Sequence, residues 1–463
     1  MCCVYYAAIT NNNRLTIWSM TLAQTMHRRQ FLGTTGSAFA ALTASGCMAR
    51  SQGGEAMADG AEMDGIYGPL VKYPGGILDL PESFSYRVLS SLGDAMSDGG
   101  TVPDKADGMG CFDLGSGHIA LVRNHELLPW DDMGGDVDKG YGRNPDGKFM
   151  AGGTTNLVLD AATLAVEKQH RTLAGTIRNC SGGITPWGSW LTCEEPGSRG
   201  LELPAHGYVF EIPADADGLV DPVPLKALGR FNHEAACIDP VTGLVYETED
   251  MGDGLIYRFA PDEAGNLQAG GKLQALALVD GTTDSRNWDG VTMNVGDTHE
   301  VRWVDLDNVE SPNNDLRMRG AAQGALLVAR GEGIHMGDGD LYLCSTSGGA
   351  AKLGQIFRLV PGRGVKPDTL KLFFESESKE QFNYGDNLVV APNGHLIVCE
   401  DQYTDVVDNR LIGITPQGLP YLLGRLNMQT ELAGACFSPD GRTLFVNAYS
   451  PTKTFAITGP WTA

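Results

Sequence analysis

The sequence has 463 residues and a formal net charge of −23, from 57 acidic and 34 basic side chains. Its first 50 residues contain four arginines and no acid, so residues 51–463 hold 57 acids against 30 bases, a net charge of −27. Because nucleic-acid binding needs a basic surface, this acidic body predicts no nucleic-acid partner. Glycine and proline together make 84 residues, which is typical of a turn-rich chain, while a hydrophobic content of 42 % argues against disorder throughout.

The N-terminus has the layout of an export signal. Arg28 and Arg29 precede an uncharged, moderately apolar run over residues 31–46, which is too short to cross a bilayer comfortably. This layout is typical of a twin-arginine signal, so we expect the chain to use the twin-arginine export machinery and to end in the periplasm or outside the cell. Cys47 follows a segment that weakly resembles a lipobox and is a candidate lipid anchor. We interpret residues 1–50 as an upstream extension plus this signal region, and no other stretch predicts a transmembrane span.

Residues 60–463 read as one catalytic domain made of repeats. Short runs of β-branched and aromatic residues recur after glycine turns, and helical periodicity is scarce. The six clearest are Gly117–Val122, Gly188–Cys193, Gly243–Thr248, Gly339–Cys344, Gly394–Cys399 and Gly441–Val446. This recurrence predicts an all-β fold, a six-bladed β-propeller with loop insertions, in which residues 260–320 form an insertion or an elaborated blade. A β-sandwich with additional elements is the alternative.

A metal-binding side chain recurs seven to ten residues before each of these glycine turns. The six residues are Asp107, Cys180, Glu234, Glu332, Asp386 and Glu431. Because the innermost strand of each propeller blade lines the central channel, we expect equivalent positions to converge on one ring. Unpaired carboxylates in a ring repel one another, and cations are the simplest way to hold them together. Carboxylate oxygens suit Ca²⁺ and a thiolate favours a transition metal, so we predict metal ligands at all of these positions except Asp107, which aligns least well. The alternative is that each acid merely begins a strand in solvent.

Further acids follow the next strand in several repeats. The predicted metal ligands of this second layer are Glu194, Glu195 and Glu249, with Glu126, Asp250 and Asp401 as further candidates. The sequence leaves open which of Glu194 and Glu195 faces the channel. Ordinary surface positions are the alternative for each of these acids.

Seven cysteines follow the signal region, and no two of them form a CxxC pair. This spacing argues against a zinc ribbon or a dithiol redox motif. Cys193, Cys344 and Cys399 lie within apolar strand-like runs, so we expect them to be buried core thiols. Cys180 differs because it belongs to the predicted ring.

Arg330 lies two residues before Glu332 and is the predicted catalytic residue. A lone arginine is usually a solvated surface group, but beside a metal ring its planar fork matches the oxygens of a phosphate. Metals with one arginine indicate phosphoryl transfer, in which the metals bind and polarise the phosphate. The Walker, HExxH, GxSxG and GxGxxG patterns are absent from the sequence, so covalent serine catalysis and nucleotide cofactors lack support.

Several segments together resemble the PhoX family of alkaline phosphatases. They are Arg178–Glu195, Phe231–Ala236, Glu247–Asp250, Arg330–Glu332 and Ala435–Gly441. The resemblance implies a six-bladed propeller that holds ferric iron (Fe³⁺) and Ca²⁺, and that hydrolyses phosphomonoesters outside the cytoplasm in phosphate acquisition. It also implies that Cys180 is an iron ligand, that Glu234 and Glu332 match cluster carboxylates, and that Arg330 matches a phosphate-binding arginine.

The residues also allow two functions other than that of a phosphatase. One is a non-catalytic, calcium-stabilised propeller that binds a ligand or partner on one face. The other is a calcium-propeller lactonase or esterase. Cys180 and Arg330 discriminate, because a purely structural calcium ring needs neither a thiolate nor a guanidinium group. We expect a monomer, because a closed propeller leaves no edge strand for a partner to cover.

Overall fold

The computed structural model describes residues 65–72, 75–196, 206–402 and 407–461, which all belong to the unit Ala58–Ala463. The twin-arginine motif, Cys47 and the rest of residues 1–50 lie outside the described residues. Within the part of the chain that is described, no helix has the length and apolar composition needed to cross a membrane.

Strands make up most of the regular structure, and the first ten lie before residue 214. They are β1 (Leu70–Val71), β2 (Leu78–Pro81), β3 (Ser85–Ser91), β4 (Ala106–Gly115), β5 (His118–His125), β6 (Gly152–Asp160), β7 (Val166–Thr176), β8 (Asn179–Ile184), β9 (Ser189–Glu194) and β10 (Val209–Pro213).

The middle of the chain contains nine strands, one short α-helix and two 3₁₀ turns. In chain order they are a 3₁₀ turn (Lys226–Leu228), β11 (His233–Ile238), β12 (Val245–Glu249), β13 (Ile256–Pro261), a 3₁₀ turn (Leu267–Ala269), β14 (Gly271–Leu278), β15 (Thr298–Asp305), α1 (Leu316–Ala322), β16 (Gly331–Met336), β17 (Leu341–Ser345), β18 (Gln355–Val360) and β19 (Thr369–Glu375). Residues 260–320 thus hold two further strands and the helix, as an elaborated region.

Seven strands complete the described chain. They are β20 (Gly385–Val390), β21 (Leu396–Glu400), β22 (Arg410–Ile414), β23 (Pro420–Leu426), β24 (Leu432–Phe437), β25 (Thr443–Ala448) and β26 (Lys453–Thr458).

All six strands predicted from glycine turns are confirmed, as β5, β9, β12, β17, β21 and β25. Each is the second strand of a hairpin, and its turn glycine has a positive φ. The glycines are Gly117, Gly188, Gly243, Gly339, Gly394 and Gly441, with φ between 71° and 87°. A side chain disfavours this left-handed conformation, which is why glycine marks each turn in the sequence.

The strands pair in five antiparallel sheets. The sheets run β1-β2-β23-β22-β21-β20, β10-β9-β8, β11-β12-β13-β14-β15-β19-β18-β17-β16, β24-β25-β26-β3 and β4-β5-β6-β7. The all-β prediction is confirmed and the arrangement is propeller-like. The strands do not separate into six independent blades, because β15 pairs with both β14 and β19 and joins two four-stranded units in one nine-stranded sheet.

Early strands complete sheets formed by the end of the chain. β3 pairs with β26, and β2 pairs with β23. Apolar side chains then fill the spaces between neighbouring sheets, where burial of one large side chain contributes roughly 1.5–3 kcal/mol. The predicted core thiols Cys193, Cys344 and Cys399 are confirmed as fully buried and unpaired.

The first strands of the six hairpins lie next to one another. Strand β4 contacts β8, β8 contacts β11, β11 contacts β16, β16 contacts β20, β20 contacts β24, and β24 contacts β4. These six strands therefore form a closed ring of neighbouring strands, and their first residues lie at the same end of that ring.

Candidate metal centre

The six hairpins share one backbone hydrogen bond at the end opposite the glycine turn. The residue directly after the second strand donates its N–H to the carbonyl oxygen of the residue directly before the first strand, at 2.8 to 3.3 Å. The pairs, donor first, are Glu126 and Lys105, Glu195 and Arg178, Asp250 and Asn232, Thr346 and Arg330, Asp401 and Tyr384, and Tyr449 and Glu431. We call the donors post-strand residues. We call the acceptors pre-ring residues, because in five of the hairpins they stand just before a residue of the predicted ring of metal ligands.

The ring residues lie two positions after the pre-ring residues in five of the hairpins. They are Asp107, Cys180, Glu234, Glu332 and Asp386. In all five the strand register shifts at this point, for example between Asn179 and Gly182 in β8. A β-bulge re-aims a side chain that would otherwise follow the alternation of the strand. It lets the ring side chains of neighbouring hairpins approach one another.

The sixth hairpin differs from the other five. Glu431 is itself the pre-ring residue, and the register shift of β24 lies later, between Ala433 and Cys436. Glu431 therefore approaches the site from the position that Arg178 and Arg330 take in their hairpins. The sequence alignment that placed Glu431 with the ring residues is wrong about its position.

Ring, pre-ring and post-strand side chains meet in four groups of potential metal ligands. In each group, one ligand atom per residue lies within 4.8 Å of the others. The groups are Asp107 with Glu126 and Cys180, Cys180 with Glu195 and Glu234, Glu234 with Glu332 and Asp386, and Asp386 with Asp401 and Glu431. Shared members join the four groups in one continuous cluster, which we call the acidic array. Six of the eight predicted metal ligands belong to it: Cys180, Glu195, Glu234, Glu332, Asp386 and Glu431.

The acidic array has buried oxygens that no hydrogen bond among the described residues satisfies. They are both carboxylate oxygens of Glu234 and Oδ1 of Asp107. Because a buried charge without a partner is strongly disfavoured, these oxygens need a cation when they are ionised. Carboxylate oxygens suit Ca²⁺, and the thiol of Cys180 adds a ligand that a transition metal prefers. The residues therefore fit a cluster of metal ions.

Protonation is the only other way to relieve the crowding of acids. Burial, and then the nearby carboxylate of Asp386, raise the pKa of Glu234 well above its ordinary range. Burial and then Asp401 raise the pKa of Asp386 to about 8. Burial and then Asp107 raise the pKa of the Cys180 thiol well above its usual value. Only added positive charge allows all of these groups to be ionised together near neutral pH.

Glu194 lies outside the acidic array. It forms the last strand pair of its hairpin, with Asn179. Its carboxylate accepts hydrogen bonds from the backbone N–H groups of Ile177, Gly207 and Tyr208, and it lies beside a ring nitrogen of His206, at 2.7 to 3.2 Å. These four partners occupy both oxygens with protein groups.

Glu249 and Glu400 end their strands in the same way. The carboxylate of Glu249 accepts a hydrogen bond from the Tyr257 hydroxyl at 2.7 Å and lies 3.9 Å from the Arg317 guanidinium. Glu400 is fully buried and forms two hydrogen bonds with Arg410, each at 2.6 Å. In these three hairpins protein donors hold the final residue of the second strand, and in two of them the next residue, Glu195 or Asp401, belongs to the array.

Three further residues belong to the acidic array: one ring residue that was not a predicted ligand, and two that the sequence offered as further candidates. They are Asp107, Glu126 and Asp401. Glu126 also accepts a hydrogen bond from the Tyr449 hydroxyl at 2.5 Å. The sequence does contain the signal for Glu126 and Asp401, since both lie directly after the second strand of a hairpin.

Arg330 lies at the edge of the acidic array. Its Nε donates to Asp250 Oδ1 at 2.6 Å and its Nη2 to Asp250 Oδ2 at 3.1 Å, and Nη2 also lies 2.9 Å from Glu332 Oε1. Its backbone φ of 52° is unfavourable for a residue with a side chain, at a cost of roughly 1–3 kcal/mol. The side chain is 26 % exposed, so a guanidinium group with a fixed orientation remains accessible to an anion.

A family model described as alkaline phosphatase PhoX matches residues 65–166 and 151–452. A comparison with the curated proteins finds no match. Among solved structures, the chain is similar to Pseudomonas fluorescens PhoX in complex with vanadate, a transition state analogue, with 19 % identity and a TM-score of 0.65. That alignment covers 86 % of this chain and 98 % of the other.

A gluconolactonase from Xanthomonas campestris is 16 % identical, over 85 % of this chain and 100 % of the other, with a TM-score of 0.40. That score is too low to argue from. The family match, in contrast, spans most of the chain and includes the hairpins that form the acidic array. The chain therefore belongs to the family of alkaline phosphatase PhoX and is a phosphatase.

Proposed function

We propose that this phosphatase is metal-dependent, and that it hydrolyses phosphomonoesters outside the cytoplasm with release of inorganic phosphate, in phosphate acquisition. The observation that carries the proposal is the continuous acidic array with the Arg330 guanidinium at its edge. A structural calcium site has no need of the Cys180 thiol or of an accessible arginine.

Fe³⁺ and Ca²⁺ are the ions we assign to the acidic array. Cys180 with Glu195 and Glu234 is the group with a thiol and would hold iron. The carboxylate groups would hold Ca²⁺, namely Glu234 with Glu332 and Asp386, and Asp386 with Asp401 and Glu431. When bound, the ions would neutralise the carboxylates, polarise the phosphate and supply an activated oxygen nucleophile.

We place Glu194 and Glu249 outside the ligand set, although both were predicted ligands. Protein donors already surround the carboxylate of Glu194, and Tyr257 with Arg317 lies beside that of Glu249. Both acids support the ends of the strands from which Glu195 and Asp250 project.

Arg330 is the residue to which we assign stabilisation of the reacting phosphate. Asp250 holds its fork through two hydrogen bonds, so little orientation is lost when an anion binds. A guanidinium group beside the phosphate would stabilise the negative charge that grows on its oxygens as the ester bond breaks.

We further infer that β11–β14 and β16–β19 are two blades of a six-bladed propeller, joined by β15, and that residues 60–463 are one catalytic domain. The repeated hydrogen bond in six hairpins supports this count. For residues 1–50 we propose twin-arginine export to the periplasm or the exterior, with Cys47 as a candidate lipid anchor. A monomer is the proposed state.

The test is to purify the chain after export through its own signal, measure iron and calcium by elemental analysis, and assay p-nitrophenyl phosphate from neutral to alkaline pH. We expect both metals and hydrolysis of the ester. Calcium without iron or hydrolysis would instead favour the non-catalytic propeller. A carboxylic ester or lactone, assayed in parallel, tests the esterase alternative.

A further inference from the structure

Arg178 holds the pre-ring position of the hairpin β8–β9, as Arg330 does in the hairpin β16–β17. Both lie two residues before a ring residue, and both have a left-handed backbone, with φ of 42° and 52°. Asn232 is the pre-ring residue of the hairpin between them. The repeat therefore places two guanidinium groups at equivalent points beside the acidic array.

The two arginines contact adjoining acids. Arg178 Nη2 donates to Glu195 Oε2 at 2.8 Å, and Arg330 Nε donates to Asp250 Oδ1 at 2.6 Å. Asn232 Nδ2 links the two acids, since it donates to Glu195 Oε1 at 2.7 Å and to the backbone oxygen of Asp250 at 3.3 Å. The two guanidinium groups thus flank one short, hydrogen-bonded stretch of acids.

Arg178 differs from the arginines that serve only the fold. Arg123 is fully buried, and Arg410 is 8 % exposed and donates from Nε, Nη1 and Nη2. The Arg178 side chain is 30 % exposed, and its contacts within the described residues use Nε and Nη2. Its Nη1 takes part in no hydrogen bond among these residues, so two N–H groups can still bind an anion.

A guanidinium group stays protonated throughout the physiological pH range, so Arg178 is cationic. It lies between the carboxylates of Glu195 and Glu126. Those two carboxylates also hold Nε and Nη2 in place. Arg178 is therefore a cationic guanidinium group whose Nε and Nη2 are held by carboxylates, while its Nη1 can bind an anion.

We propose that Arg178 is a second phosphate-binding residue, which contacts nonbridging oxygens of the substrate's phosphate together with Arg330. The identity of the anion rests on the proposed function. A phosphomonoester has three nonbridging oxygens, whereas a phosphodiester has two. Two guanidinium groups beside metal ions can contact all three oxygens, so the pair would favour a phosphomonoester. If Arg178 served only to hold Glu126 and Glu195 in place, its Nη1 would not need to be available to an anion.

The test measures inorganic phosphate binding by titration calorimetry to the full, metal-loaded protein, with iron and calcium content determined for each preparation. Arg178→Gln removes the charge, and Arg178→Lys keeps the charge but lacks the planar fork. Arg363→Gln is the matched control, because Arg363 pairs with Asp239 at the opposite end of β11 from Glu234.

We expect Arg178→Gln to keep its metals and to raise the dissociation constant for phosphate about tenfold or more, and Arg178→Lys to raise it at least about threefold. Arg363→Gln should bind phosphate as the wild type does. Wild-type affinity in both Arg178 variants at full metal content would overturn the proposal. So would weak binding that returns to the wild-type value once lost metals are restored.

The proposal and the proposed function can fail separately. If the wild-type protein binds phosphate and Arg178→Gln weakens that binding, but no phosphomonoester is hydrolysed, only the proposed function fails. If the wild type hydrolyses p-nitrophenyl phosphate and both Arg178 variants bind phosphate normally, only the role of Arg178 fails. A smaller preference for p-nitrophenyl phosphate over bis(p-nitrophenyl) phosphate in Arg178→Gln would add support.

Discussion

Two neighbouring acids at the end of β9 have opposite surroundings. Glu194 is the last residue of the strand, and its two oxygens lie among three backbone N–H groups and a histidine ring nitrogen. Glu195 is the next residue, and it faces Cys180 and Glu234 in the acidic array. Because successive side chains of an extended chain point to opposite sides, one step along the chain brings Glu195 among other acids, although Asn232 and Arg178 still donate to its two oxygens.

The same contrast recurs at the end of β21, where Arg410 holds Glu400 while Asp401 belongs to the array. We call Glu194, Glu249 and Glu400 the paired acids, and the array carboxylates the facing acids. A paired acid is stabilised by donors that the fold itself supplies. The facing acids lie close to one another, so the array as a whole needs a cation, even though Arg178 and Arg330 pair with some of its members.

The contrast predicts its largest effect at Cys180, the thiol among the facing acids. Cys180→Ala should lose iron, and phosphatase activity should fall on the order of a thousandfold, because a shared ligand of two groups is removed. Cys344→Ala is the control, since Cys344 is fully buried in an apolar cluster and its loss should cost roughly 1–3 kcal/mol of stability with iron retained. Elemental analysis and thermal unfolding separate the two results. Equal iron retention in both variants would refute the assignment.

A pair of substitutions at adjacent positions tests the contrast directly. Glu195→Gln should lower the metal content and activity with little loss of stability, because it removes a charge from the array. Glu194→Gln should keep the metals and lose about 2–4 kcal/mol of unfolding free energy, because buried donors lose an ionised acceptor. Metal analysis and denaturant unfolding measure both quantities. If Glu194→Gln were the variant that lost its metals, the distinction between paired and facing acids would be wrong.

Arg330 tests whether the edge of the array binds the anion. Arg330→Ala should retain its metals. It should weaken phosphate binding about 10- to 100-fold, because the charge-assisted hydrogen bonds from the guanidinium group to the phosphate are lost. Arg317→Ala is matched to it, because Arg317 pairs with Asp253 beside the paired acid Glu249. That variant should lose stability and keep its phosphate affinity. Inhibition of ester hydrolysis by phosphate provides the measurement, and unchanged inhibition of Arg330→Ala would count against the assigned role.

The strands were predictable because their signals are local. A glycine with positive φ followed by a β-branched or aromatic run identifies the second strand of each hairpin, and all six are present. The pairing of β15 with β19 has no such signal, since it joins residues about 70 positions apart in a register fixed by packing. The sequence therefore predicted a propeller-like all-β fold without the nine-stranded sheet.

The site was predictable to the extent that the hairpins repeat. The spacing before the turn identified Cys180 and Glu234, but it misplaced Glu431, because the register of β24 shifts later than in the other hairpins. The choice between Glu194 and Glu195 depended on the residue at which the strand ladder ends. A window of sequence does not reveal that end, because both residues are glutamates with the same propensity.

The smallest expected effect concerns pH at Asp239, a buried acid held by Arg363 at the far end of β11. Burial raises its pKa, but hydrogen bonds from Arg363 and Thr242 more than offset this and leave the pKa below its ordinary value. A lowered pKa gives stability that is present above the unfolded value near pH 4 and is lost as pH falls through the folded value. Asp239→Asn should therefore have a lower free energy of unfolding than the wild type at pH 7. Because Arg363 is partly exposed, we expect this deficit to be no more than about 1 kcal/mol. The deficit should narrow toward pH 3, where the wild-type Asp239 becomes protonated. Thermal unfolding at several pH values measures the deficit. A deficit that grew on acidification would mean that burial outweighs these hydrogen bonds and that the pKa of Asp239 is raised.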